Sequence, residues 1–145
     1  MRVAESLRDS RFFTAGRAVF TVDNGGYKGR PRKHLTFKIV KKTLGHRARY
    51  FAFYRTQRGE GNWTYLGEVN SFKLECRPTK SSQLTLAAPE FKAINWAMGM
   101  VAVDKEPPGE AVIMHAGMCG RCGRELTDPE SIRRGFGPEC FKKIR

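Results

Sequence analysis

His115, Cys119, Cys122 and Cys140 form the string H-x3-C-x2-C-x17-C near the end of the 145-residue chain, close to the spacings of closed structural zinc sites. Three thiolates and one imidazole suit zinc, which prefers sulfur and nitrogen donors and needs no redox chemistry. Gly120 and Gly123 can bend the chain around an ion, as a zinc knuckle requires. His115 is taken as the fourth ligand; Cys76 is the other candidate, although a lone cysteine is usually a buried thiol. A water in the fourth position would open catalytic chemistry, but no H-E-type motif supplies a base.

The residues between these ligands read as local structure that positions them. Thr127-Asp-Pro-Glu130 has the T-x-x-E form of a capping box, and Gly135 is placed to stop the short helix that follows. Gly137-Pro138 starts a second helix, with Cys140 in its first turn, where unpaired amides and the dipole favour a thiolate. A knuckle giving two ligands and a helix start giving another describe a treble-clef-like zinc module over residues 110–145.

Charge is the second signal. The chain has 27 Lys plus Arg against 14 Asp plus Glu, a formal +13. No acid occurs between Asp23 and Glu60, a window that holds Lys28, Arg30, Arg32, Lys33, Lys38, Lys41, Lys42, Arg47, Arg49, Arg55 and Arg58. A second basic group, Arg133, Arg134, Lys142, Lys143 and Arg145, closes the chain. Like charges in such density repel one another and favour an anionic partner. Aromatic residues interleave with the first group, and cations beside aromatic rings are what single-stranded nucleic acid needs for phosphate neutralisation and base stacking. In Arg49-Tyr-Phe-Ala-Phe-Tyr-Arg55, strand alternation assigns Phe51 and Phe53 to the core and leaves Tyr50 and Tyr54 as candidate stacking groups. His34 and His46 sit among these cations as phosphate contacts or simply as exposed residues.

Around these residues the chain reads as α+β. Arg17–Val22, His34–Lys42, Tyr50–Arg55 and Trp63–Val69 alternate apolar and polar side chains and predict an antiparallel, meander-like sheet with one packed face. Phe91, Ile94, Met98 and Val101 form one stripe of an amphipathic helix over residues 89–102, begun by Pro89, with Trp96 off the stripe. Pro107-Pro108 ends this first domain, residues 1–109, and Ala111–Met114 is a brief strand leading into the zinc module, residues 110–145. No apolar stretch is long enough for a bilayer span, and Met1–Ser10 lacks the layout of a secretory signal, so the expected setting is the cytoplasm without a membrane. In that reducing compartment, metal binding is a better use of the cysteines than disulfides.

The run Cys119-Gly-Arg-Cys-Gly-Arg-Glu-Leu-Thr-Asp-Pro-Glu-Ser-Ile132 with Gly135-Phe-Gly-Pro-Glu-Cys140 resembles the C-terminal motif of an uncharacterised phage and prophage protein family. Phe20–Val22, Tyr65–Gly67, Lys92–Trp96 and His115 are similar to that family's longer members. The resemblance implies a phage origin, hence a host-cell cytoplasm, and Cys119, Cys122, Cys140 and His115 as ligands of one structural zinc. It implies no activity.

Two functions follow as expectations. One is an accessory nucleic-acid binder, DNA or RNA and single-stranded by preference because no recognition helix is evident. Its contacts would be Lys28, Arg30, Arg32, Lys33, Lys38, Lys41, Lys42, Arg47, Arg49, Tyr50, Tyr54, Arg133, Arg134, Lys142 and Lys143. The other is an effector that binds a host protein or defence complex. An enzyme is disfavoured, because no paired carboxylates, nucleophile with its base or phosphate-cradling glycine loop appears at usable spacing.

Overall fold

The computed structural model describes residues 9–24, 34–55, 63–105, 111–115, 117–127 and 129–144. Lys28, Arg30, Arg32 and Lys33, named above as nucleic-acid contacts, lie outside the described residues.

Each of the four alternating segments becomes a strand, β1 (Arg17–Asp23), β2 (His34–Leu44), β3 (Arg47–Arg55) and β4 (Thr64–Asn70). The sheet adds a short strand the sequence did not predict, β5 (Glu75–Arg77), and the brief strand before the module is β6 (Val112–His115). The first five run as an antiparallel meander and β6 returns to pair with β1, so the spatial order is β5-β4-β3-β2-β1-β6. The result is a curled six-stranded sheet with one main helix and a C-terminal cysteine module. β2 and β3 meet through Gly45-His46, with Gly45 at φ +62°, the positive value required at the first centre of a tight hairpin turn.

One face of the sheet is the core. Helix α1 (Pro89–Ala102) lays Phe91, Ile94, Met98 and Val101 against Ala18, Phe20, Phe37, Ile39 and Leu66, as the helical stripe predicts, and Trp96 is partly buried beside them. Complete burial of an aromatic such as Phe20, Phe37 or Phe91 is worth roughly 2 kcal/mol relative to exposure. Asn95 shows how a polar helix residue serves this packing. Its Oδ1 accepts the Cys76 N–H at 2.7 Å and its Nδ2 donates to the Cys76 carbonyl at 3.1 Å, which satisfies the backbone of edge strand β5. Among the described residues no helix is long and apolar enough to cross a membrane.

The cysteine module packs onto this core and shares it. Phe12, in a 3-10 helix (Ser10–Thr14), has its ring centroid 5.8 Å from that of Phe136. A Cβ at Gly120 would lie 2.4 Å from the Phe12 ring, so only glycine admits this approach. Arg17 N–H donates to the Gly120 carbonyl at 2.7 Å. Cys119, Leu126, Phe136 and Cys140 are continuous with the core beneath the sheet. β6, which the boundary at residue 110 assigns to the module, is an edge strand of the sheet.

Candidate metal centre and the outer sheet face

The knuckle forms because its backbone bonds close on themselves. Met118 bridges Glu125, Cys119 N–H donates to the Arg124 carbonyl at 2.8 Å, and Gly123, at φ +80°, returns its N–H to the Cys119 carbonyl at 2.9 Å. After helix α2 (Pro129–Arg134), Gly135 takes φ +81° and donates to the Ser131 carbonyl, the expected helix stop. Helix α3 (Pro138–Lys143) then carries Cys140 in its first turn. The ligand atoms of Cys119, Cys122 and Cys140 all lie within 4.8 Å of one another, and three clustered thiols of this kind could hold a metal ion. Tetrahedral zinc with bonds of about 2.3 Å needs sulfurs roughly 3.8 Å apart, which fits the cluster.

Its electrostatics favour a thiolate at Cys119. Burial acts to raise the Cys119 thiol, but backbone N–H groups of Cys122, Gly137 and Arg121, with the Cys122 thiol, outweigh it and bring Cys119 down to about 7. Burial pushes Cys140 up, against a hydrogen bond from Arg121, and its sulfur neighbours add to the rise. Arg121 serves both sulfurs: its N–H lies 3.4 Å from Cys119 Sγ and its Nη1 3.6 Å from Cys140 Sγ.

His115 is not brought into this group. Its Nδ1 accepts the Gly117 N–H at 3.0 Å and its Nε2 faces the Ile132 carbonyl, so both ring nitrogens are taken by backbone. Burial lowers its pKa, with the Ile132 bond opposing, and the ring packs 5.8 Å from that of Phe12. In this arrangement the imidazole pins the start of the module to helix α2, through the Ile132 carbonyl. Cys76 is buried in the sheet domain and is also outside the cluster.

The second candidate surface is the face of the sheet opposite α1, where the structure reverses one expectation. Tyr50 and Tyr54 pack against the core together with Ala52, and Phe51 and Phe53 point outward. Burial raises the Tyr54 phenol, as does the charge of Glu90 at the start of α1. A bulge in the β3–β4 pairing sets Tyr65 opposite Phe53 and Glu68 opposite Phe51. The Tyr65 ring centroid lies 6.3 Å from that of Phe51 and 5.6 Å from that of Phe53. Trp63, just before β4, completes an aromatic patch. Lys38 Nζ stands 4.7 Å from the Trp63 ring and 5.1 Å from the Phe53 ring, and Arg55 Cζ lies 4.5 Å from Trp63. Arg49 caps Phe51 at 5.2 Å and forms a two-bond pair with Glu68 at 2.6 and 2.8 Å.

The remaining expected contacts divide by location. Lys41, Lys42 and Arg47 are exposed on the β2–β3 hairpin, and strand alternation sends Lys41 to the opposite face from Lys42. His34 opens β2 and His46 stands in the hairpin turn, both exposed. On the module, Arg133 pairs with Glu130 at 2.9 Å, Arg134 lies 4.1 Å over the Phe141 ring, and Lys142 and Lys143 are exposed.

Residues 110–145 match a family of unknown function, DUF6011. That segment holds β6, the cysteine cluster, α2 and α3, and the likeness read upstream at Phe20–Val22, Tyr65–Gly67 and Lys92–Trp96 lies outside it. No curated protein and no solved structure matches the chain.

Proposed function

We propose that this protein binds single-stranded nucleic acid on the outer face of its sheet, and that zinc held by Cys119, Cys122 and Cys140 braces the module beside it. The observation that carries this reading is the patch of Phe51, Phe53, Trp63 and Tyr65 threaded by Lys38, Arg49 and Arg55. Rings on a sheet offer stacking surfaces to unpaired bases, and each stacked base contributes about 1–3 kcal/mol with little dependence on sequence. Cations between the rings meet the phosphates that connect those bases.

The electrostatics support an anionic ligand. Lys38 has its pKa lowered by burial first and then by the charges of Arg17 and Arg55, so these cations disfavour one another in the free protein. A phosphate among them relieves that repulsion. Arg17 also ties the patch to the module, since a Cβ at Gly123 would lie 3.0 Å from its Cδ. Metal in the cysteine cluster fixes that knuckle and thereby the position of Arg17.

Fluorescence anisotropy with a labelled single-stranded oligonucleotide across a salt titration tests the reading. The log of affinity should fall linearly with log salt, and Lys38→Gln should lower the slope by about 0.7 for the one phosphate contact it removes. Equal affinity and equal slope for the variant and the parent would contradict it.

A further inference from the structure

The outer face continues past the rim of the sheet. β2 runs on beyond Val40, its last residue in register with β1, and β3 begins before Tyr50, its first residue in register with β4. Residues 41–49 therefore form a two-stranded ribbon in which every residue is exposed, anchored at its base by the Lys41 N–H, which donates to the Gly16 carbonyl at 3.0 Å. At the rise of a β-strand, the part beyond that anchor reaches roughly 10 Å past the rim.

The side chains on this ribbon are unusual for a hairpin left in water. Lys42, Leu44, Arg47 and Arg49 share its outer face, with Lys41 and Thr43 on the other. Lys41, Lys42 and Arg47 have no carboxylate partner among the described residues, whereas Arg49 is held by Glu68. At the tip Leu44 is 61% exposed, an apolar group carried away from the core.

A two-stranded ribbon fits the major groove of a duplex, about 12 Å wide, and cations along it meet the phosphates that line the groove. An exposed apolar tip inside the groove suits contact with an apolar base edge such as the C5-methyl of thymine. The aromatic patch, which suits unpaired bases, begins where the ribbon joins the sheet, at Phe51.

We infer that the ligand of this face is a duplex carrying a single-stranded tail. The tail lies on Phe51, Phe53, Tyr65 and Trp63, and the ribbon grips the stem next to the junction. The inference rests on the single-strand reading above and adds the stem.

The test compares a tailed hairpin stem, the same stem blunt-ended, and the tail alone, each titrated into the full-length protein. The tailed stem should bind at least about tenfold more tightly than the tail, a modest part of what two linked contacts can give. The triple variant Lys42→Ser/Leu44→Ser/Arg47→Ser changes only exposed positions and should abolish that advantage, with tail-alone affinity retained. Circular dichroism of the variant checks that the fold persists. Equal affinity of parent protein for tail and tailed stem would overturn the junction and leave the single-strand reading standing. Failure to bind the tail, with blunt and tailed stems bound equally, would overturn both.

Discussion

Lys38 holds its ammonium 4.7 Å above the ring of Trp63, a residue that precedes β4 and reaches Lys38 across the whole width of β3. That contact, with Phe53 at 5.1 Å from the same ammonium, lies on the face of the sheet opposite α1, the face proposed to bind nucleic acid. The face that buries Tyr50 and Tyr54 is closed by α1.

Neighbouring aromatic residues on β3 should therefore behave in opposite ways. Phe53→Ala should weaken single-strand binding about tenfold, the equivalent of one stacked base, with little change in urea midpoint. Tyr54→Ala should leave binding unchanged and cost about 2 kcal/mol of stability, less than a fully buried ring would. Paired anisotropy and urea titrations on both variants check this, and a Tyr54→Ala protein that folds but no longer binds would contradict it.

Metal and thiol chemistry separate the four cysteines. The purified protein should contain stoichiometric zinc by elemental analysis, and Cys122→Ser should lose it and loosen residues 117–144, because metal binding and folding of small modules are coupled. A variant that keeps full zinc content would remove Cys122 from the ligand set.

Cys76 should reveal itself at alkaline pH. Burial pushes its thiol from 9.0 up to about 12. Between these values the unfolded chain has released a proton that the folded chain retains, so stability is intact below pH 9 and falls as pH rises through that window. Urea midpoints measured from pH 8 upward should decline more steeply for the parent than for Cys76→Ala. Parallel declines would show that the thiol titrates alike in both states.

Asn95→Ala should cost about 2 kcal/mol, since it leaves the Cys76 N–H and carbonyl without their partner at a buried strand. Hydrogen exchange should place the loss in β5. A uniform loss across the sheet would argue that Asn95 acts through helix packing instead.

Much of this architecture was legible from pattern alone. The apolar stripe of α1, strands β1 to β4 and β6, and the convergence of Cys119, Cys122 and Cys140 all follow from local spacing, whereas the three residues of β5 are too few to carry a pattern. The orientation of β3 did not, because Tyr50-Phe-Ala-Phe-Tyr54 is apolar on both faces and alternation cannot choose between them. The choice was nevertheless available through register. A two-residue turn at Gly45-His46 sets Leu44 opposite Arg47, hence Lys38 opposite Phe53 and Phe37 opposite Tyr54. Since Leu35, Phe37 and Ile39 mark the packed face of β2, Tyr54 must share it. His115 was misleading for another reason: its spacing suits a ligand, but β6 hydrogen-bonds to β1 and turns the imidazole toward the backbone of Ile132 and Gly117.

Trp63 offers the most direct test of the outer face as the binding surface. In a Trp96→Phe background Trp63 is the remaining tryptophan, and its fluorescence reports stacking at the patch itself. Addition of a single-stranded oligonucleotide should quench this emission in parallel with the anisotropy of the labelled strand, saturating at the same concentration. Saturated anisotropy with Trp63 emission unchanged would place the nucleic acid elsewhere on the protein and contradict the account.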